Sequence, residues 1–224
     1  MSTTEEKRYI LEIVPDTCPE SPREWSNLCT LATAHRRYTL GDIEFDGDMT
    51  DLIYSLEPDI EDEVVEMSQE LSQEDIDNYV MDRFDDLYFH RTVYLYDHSG
   101  LSVSLGGFSC PWDSGPVGII FVRKDEAQKE YCMTKRELTI EEYVDEIMEN
   151  EIEVFDQYLR GDIYGFVLKD QRGEEVDSCR GFYGYDIKEN GILDNVNTDE
   201  ISEVRWMTQS VEPWKTQAME EVLA

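Results

Sequence analysis

Four side chains near the middle of the chain carry the residue types of nucleophilic catalysis: Asp97, His98, Ser99 and Cys110. Asp, His and Ser are the members of a hydrolytic triad, and a cysteine beside a histidine base is the other common nucleophile. A triad, however, is assembled from residues distant in sequence, and adjacent positions seldom form a relay. Residues 97–100 therefore read first as a turn in which Asp97 or Ser99 bonds the backbone. Cys110, between Ser109 and Pro111, reads as a buried cysteine beside Trp112 in a tight loop. If the chain is an enzyme, His98 with Cys110 is its best catalytic pair, with His35 as another base.

Metal chemistry has less to draw on. His35, His90 and His98 show no ligand spacing, and Cys18, Cys29, Cys110, Cys132 and Cys179 form no zinc knuckle. Asp42, Asp46, Asp48 and Asp51 begin like a calcium loop, but the final Glu is not where that loop needs it. Gly106-Gly107 and residues 181–184 lack the Lys-Ser/Thr of a phosphate loop. No metal and no cofactor are expected.

Charge is the stronger signal. The 224 residues include 52 Asp or Glu against 19 Lys or Arg, a net charge of -33. Such a polyanion repels nucleic acid and anionic membranes and attracts basic surfaces, including the grooves with which proteins hold DNA. The expected partner is a basic DNA-binding protein, with a second copy of the chain as a further candidate. Direct nucleic-acid binding and membrane binding are disfavoured.

The carboxylates are also clustered. Residues 42–86 hold 18 of them with Arg83 as the one basic residue, and residues 137–156 hold nine with none. Residues 92–122 hold only Asp97 and Asp113. On a helix, i and i+4 carboxylates repeat every ~6 Å along one face. Duplex DNA carries one charge per ~1.7 Å of axis, counting both strands. Glu57, Glu61, Asp62, Glu63, Glu66 and Glu70 form one such rail, extended by Asp75, Asp82, Asp85 and Asp86. Glu142, Asp145, Glu146, Glu149, Glu153 and Asp156 form another. Rails of this kind fit an acidic DNA mimic that occupies the channel of a DNA-directed enzyme. The plainer alternative is an acidic skin suited to a salty cytoplasm.

These residues need elements to hold them. Residues 8–14 read as a strand ended by Pro15. Residues 25–37 read as a short helix or an irregular apolar segment. Within 42–86, Leu52, Ile53, Leu56, Ile60, Val64 and Met67, then Ile76, Val80, Phe84 and Leu87, recur at helical spacing. Ser72 with Asp75 resembles a capping box. Two or three short amphipathic helices follow, each with an apolar stripe and an acidic face. In the neutral centre, residues 92–96, 101–105 and 117–122 read as three antiparallel strands. Residues 123–136 are mixed and polar. Residues 139–159 form the strongest helix, with a break expected at Asn150 and an end at Gly161. Residues 163–169 and 174–179 read as a hairpin, residues 181–185 as a packed corner, residues 192–196 as a short helix or turn, and a last helix starts near Pro213.

The fold class expected is α+β: a single domain over residues 1–224 with a mostly antiparallel central sheet and acidic amphipathic helices. Residues 42–90 would form an acidic helical lobe within it. No stretch is apolar enough to span a membrane, and acidic residues precede the first apolar run, unlike a signal peptide. Five dispersed cysteines suit a reducing cytoplasm.

YLYDHSGLSVS, followed by FSCPWDSGPVGIIFV, resembles a group of uncharacterised acidic proteins encoded by phages and mobile elements. WSNL, HRRYTLGD, FDQYLRGDIYGFVL and DSCRGFYG agree with it. The resemblance implies a phage origin and a role against host defence in the bacterial cytoplasm; it brings no catalytic residue. The function expected is an acidic DNA-mimic, antirestriction or anti-CRISPR inhibitor. The alternatives are a small phage enzyme using the His98 and Cys110 neighbourhood, and a regulatory or scaffold module of phage assembly.

Overall fold

Strands form where β-branched and aromatic residues run together, and helices where apolar residues recur among the carboxylates. The computed structural model describes residues 9–67, 72–134, 137–207 and 214–223. In chain order the elements are β1 (Tyr9–Pro15), β2 (Thr30–Thr33), β3 (Ile43–Glu44), α1 (Met49–Leu56), α2 (Pro58–Met67), α3 (Gln73–Leu87), β4 (Tyr88–Asp97), β5 (Leu101–Ser104), β6 (Ser114–Arg123), α4 (Lys124–Met133), α5 (Ile140–Arg160), β7 (Ile163–Lys169), β8 (Glu175–Tyr183), β9 (Ile201–Met207), β10 (Trp214–Ala218) and α6 (Met219–Leu223). This is an α+β chain with mixed, mostly antiparallel sheets. Where one central sheet is expected, the strands form two, each five-stranded among the described residues. The chain divides into two compact units, residues 25–153 and residues 1–24 with 154–224, and the boundary falls inside α5.

The unit of residues 25–153 is built on the sheet β3-β2-β6-β4-β5. The neutral central stretch supplies its long ladder: β4 pairs antiparallel with β6 from Tyr88↔Arg123 to Tyr96↔Ser114, and with β5 through a tight hairpin. Ser99, at φ 60, turns that hairpin in the left-handed region that Ser rarely adopts. β2 lies so close to β6 that a Cβ on Gly118 would stand 1.9 Å from the Ala32 carbonyl oxygen. Only glycine fits there.

α1, α2 and α3 cover this sheet. Leu52, Ile53, Ile60, Val64, Val80 and Phe84 meet Ala32, Tyr88, Ile119 and Phe121 in one buried cluster. Phe84 stacks on Tyr88 at 4.6 Å between ring centres and meets Phe121 edge-on at 5.9 Å. Ser72 caps α3 and Asp75 returns a bond to the Ser72 backbone, the reciprocal capping box read from the sequence. The bonds from Ser72 hold the Asp75 carboxyl below its ordinary range.

The second unit is built on β10-β9-β1-β7-β8, antiparallel except for the β1–β9 pair. Leu11, Ile13, Phe166 and Val204 face Ile187, Ile192, Ile201, Met219 and Val222. Glu12 is buried in β1 and is held by Lys169 at 2.7 Å and Arg205 at 3.8 Å. β8 forms one edge of this sheet.

Four local expectations are corrected. Residues 30–33 are a strand rather than part of a helix. Residues 124–133 form α4, which buries Ala127 alone and so carries no apolar stripe to read. α5 runs through Asn150 unbroken, because Met148 and Ile152 on either side are both buried. The C-terminal segment begins as β10, tied to β9 by five residue pairs, before α6 starts at Met219. Residues 68–71 and 208–213, with Glu70 and Pro213 among them, lie outside the described residues.

Candidate functional site

The carboxylates singled out in the sequence divide by what the nearby cations do. Glu57, at the end of α1, points inward: it accepts from the Tyr88 hydroxyl at 2.5 Å and pairs with Arg123 of β6. Burial first, and then the bond to Glu57, push the Tyr88 phenol up to about 12. Glu63 of α2 accepts from the Tyr79 hydroxyl at 2.5 Å and pairs with Arg83 at 3.2 Å, which joins α2 to α3. Those bonds lower the Glu63 carboxyl. Asp85 meets His90 Nε2 at 2.6 Å, and Asp86 lies 4.0 Å from Arg83.

Along α5, Tyr143, Val144, Met148, Ile152 and Phe155 are buried. Glu142, Asp145, Glu149 and Glu153 are exposed, and Glu146 is half-buried. Glu142 accepts from the Thr139 backbone N–H at 2.8 Å at the start of the helix. Arg91 of β4 donates to Asp145 at 2.8 Å and to Glu149 at 3.2 Å. Asp156 is held by Arg160 at 3.2 Å. Glu61, Asp62, Glu66, Asp82 and Glu153 remain exposed and form no ion pair among the described residues. Glu70 is outside them.

Glu151 was not singled out by spacing. Its carboxylate accepts from the backbone N–H groups of Leu28 and Cys29 at 2.9 and 3.1 Å and so fixes the start of β2. Nothing in the sequence around either end announces the contact.

The catalytic-looking residues gather at the end of β4, beside the 105–113 loop. Asp97 pairs with Arg37 rather than with His98, and its backbone N–H donates to the Asp113 carbonyl at 2.8 Å. His98 Nδ1 lies 3.3 Å from Asp113 Oδ2, and Cys110 Sγ lies 3.5 Å from the same oxygen. His98 and Cys110 thus converge on one carboxylate, not on each other. A nucleophilic cysteine needs its base at the sulfur. Cys110 is only half-buried, and Trp112 is 93% exposed, so the expected buried cysteine packed on a tryptophan is corrected.

A cavity of about 380 Å³ opens here, lined by His35, Arg37, Asp97, Trp112 and Asp113 over Leu95 and Pro116. Its rim is ordered by local stacking. His35 lies flat on Tyr38 at 5.0 Å, and the Arg37 guanidinium stands 5.3 Å over the Tyr38 ring. A second cavity, about 310 Å³, lies between β4 and α5, among Phe89, His90, Arg91, Glu141, Glu142 and Met148.

Among the described residues no three His, Cys, Asp or Glu side chains gather to hold a metal ion, and no helix is long and apolar enough to cross a membrane. Compared with family models, curated proteins and solved structures, the chain matches none of them.

Proposed function

We propose that this protein is an acidic inhibitor that takes the place of DNA in the binding channel of a bacterial defence enzyme, of the restriction-modification or CRISPR-effector type. One observation carries the reading. The helices bury an apolar stripe and turn outward carboxylates that form no ion pair among the described residues: Glu61, Asp62 and Glu66 on α2, Asp82 on α3 and Glu153 on α5. These are acidic amphipathic helices, and their spacing offers a basic channel a charge every turn or so without bases or a cleavable backbone. The phage-like central motif supports the same role, with the host cytoplasm as its place of action.

The test is co-purification from a bacterial lysate at low and at high salt, with duplex DNA as competitor. A nucleic-acid-binding protein retained at low salt, and released by either salt or DNA, is the expected result. Retention of no such protein at low salt overturns the reading. The small-enzyme alternative draws on the shared contact of His98 and Cys110 with Asp113. A Cys110→Ser protein that keeps every function of the parent removes it.

A further inference from the structure

We propose that the cavity beside Trp112 is a subsite for a guanidinium group, the arginine side chain of a partner protein. The inference stands apart from the helical carboxylates, since the cavity lies on the nearly neutral sheet.

Trp112 is the first reason. An indole 93% exposed at the mouth of a cavity is a large apolar surface left in water. Tryptophan in such a place is the residue type that anchors interfaces. Its face is also the best aromatic platform for a cation. The second reason is the carboxylate beside it. Asp113 lines the cavity at about a third exposure, in reach of solvent and of an entering group. A planar guanidinium can lie on the indole and meet a carboxylate with two parallel N–H bonds; an ammonium offers only a point charge.

The protein already makes this arrangement with its own arginine. Arg37 stands over the Tyr38 ring and pairs with Asp97. That pair occupies Asp97; Asp113 meets His98 and Cys110 through Oδ2, and among the described residues its Oδ1 is the oxygen open to an entering guanidinium. The cavity volume of about 380 Å³ falls within the range of ligand clefts, roughly 300–1,000 Å³. An anion is the competing ligand, because Arg37 and His35 also line the wall. It is disfavoured twice: the Arg37 guanidinium is committed to Asp97, and a chain of net charge -33 repels anions at long range.

The experiment follows the Trp112 indole N–H in ¹H–¹⁵N spectra of the full chain, with its signal assigned by its loss in Trp112→Ala. The probe is N-acetyl-argininamide, titrated against sodium chloride of equal ionic strength. A saturable shift of the Trp112 signal is expected with the probe and not with the salt. In Asp113→Asn the same titration should weaken at least about fivefold, and N-acetyl-lysinamide should bind more weakly than the arginine probe. A shift that follows ionic strength alone overturns the proposal. So does an Asp113→Asn protein that titrates like the parent, or an equal response to N-acetyl-aspartamide. Because the readout needs no captured partner, its failure is distinct from failure of the DNA-mimic reading.

Discussion

The α1–α3 layer and α5 carry the same kind of surface, and their carboxylates meet different fates. In the layer the cations join one element to another. Arg83 binds Glu63 across α2 and α3, and Arg123 reaches from β6 to Glu57. These pairs tie the layer together, while Glu61, Asp62, Glu66 and Asp82 stay exposed and form no ion pair among the described residues. On α5, Arg91 reaches both Asp145 and Glu149 in the middle of the acidic run. Carboxylate density alone does not define an acidic face. With few basic residues in the chain, where each one stands decides which carboxylates remain to be offered. The centre of the proposed DNA-like face is therefore α2 with α3, and α5 contributes less than its run of carboxylates implies.

A face built on α2 and α3 needs their layer firmly seated on its sheet. Phe84 is fully buried and is the aromatic that joins α3 to Tyr88 and Phe121. Phe84→Ala should cost about 3–5 kcal/mol in urea denaturation. A cost below about 1 kcal/mol would mean that the layer is loosely held, and the contrast with α5 would lose its basis.

The next largest effect concerns the inward carboxylate. Glu57→Ala leaves the Tyr88 hydroxyl without its acceptor and Arg123 with Asp125 alone, at about 1–3 kcal/mol. The phenol supplies a second readout. Because the Tyr88 pKa is raised to about 12, the neutral form is favoured in the folded state. Its contribution to stability is whole below pH 10, the ordinary phenol value, and is lost as pH rises through about 12. In Glu57→Ala, ultraviolet titration should show this tyrosine ionising at lower pH, yet still above its ordinary value, since burial is the larger cause. An unchanged titration would mean that Glu57 is not the inward anchor described.

Much of this architecture was legible because its signals are local. The Ser72–Asp75 box starts α3, the apolar stripe from Tyr143 to Phe155 marks α5, Gly161 ends that helix at φ 74, and the turn at Gly173 closes the β7–β8 hairpin. What was not legible depends on distant partners. β2 is four residues long and exists through its pairing with β6, the room left by Gly118 and the Glu151 cap. β10 is held by β9, whereas Pro213 suggested a helix start. The second sheet needs β1 beside β9, a parallel pairing across most of the chain that no local pattern encodes. In the candidate site the positions of the carboxylates could be read, but not their pairing. Arg91 lies 54 residues from Asp145, and nothing near either residue connects them. The exposure of Trp112 was hidden for the opposite reason: an aromatic in a Gly-Pro-rich loop reads as core.

Charge reversal sharpens the comparison directly. Asp62→Lys with Glu66→Lys reverses two carboxylates on α2 that form no ion pair among the described residues. It should weaken salt-sensitive retention of the proposed partner by about tenfold, roughly 1.4 kcal/mol. Asp145→Lys with Glu149→Lys reverses two that already share Arg91, and should weaken it less. Equal losses, measured as partner retained across a salt gradient, would remove the distinction between the two faces.

The smallest effect is the most discriminating, because its sign is opposite. Arg91 is a third exposed and its two carboxylates are more so. Arg91→Gln should therefore change stability by no more than ~1 kcal/mol, as for other solvent-exposed ion pairs. It also returns two charges to the outer face of α5. If the pairing is what silences α5, Arg91→Gln should hold the partner to a somewhat higher salt concentration than the parent protein, while unfolding at nearly the same urea concentration. Weaker retention with unchanged stability would place Arg91 itself against the partner. α5 would then be a mixed-charge contact, and the acidic face would end at α3.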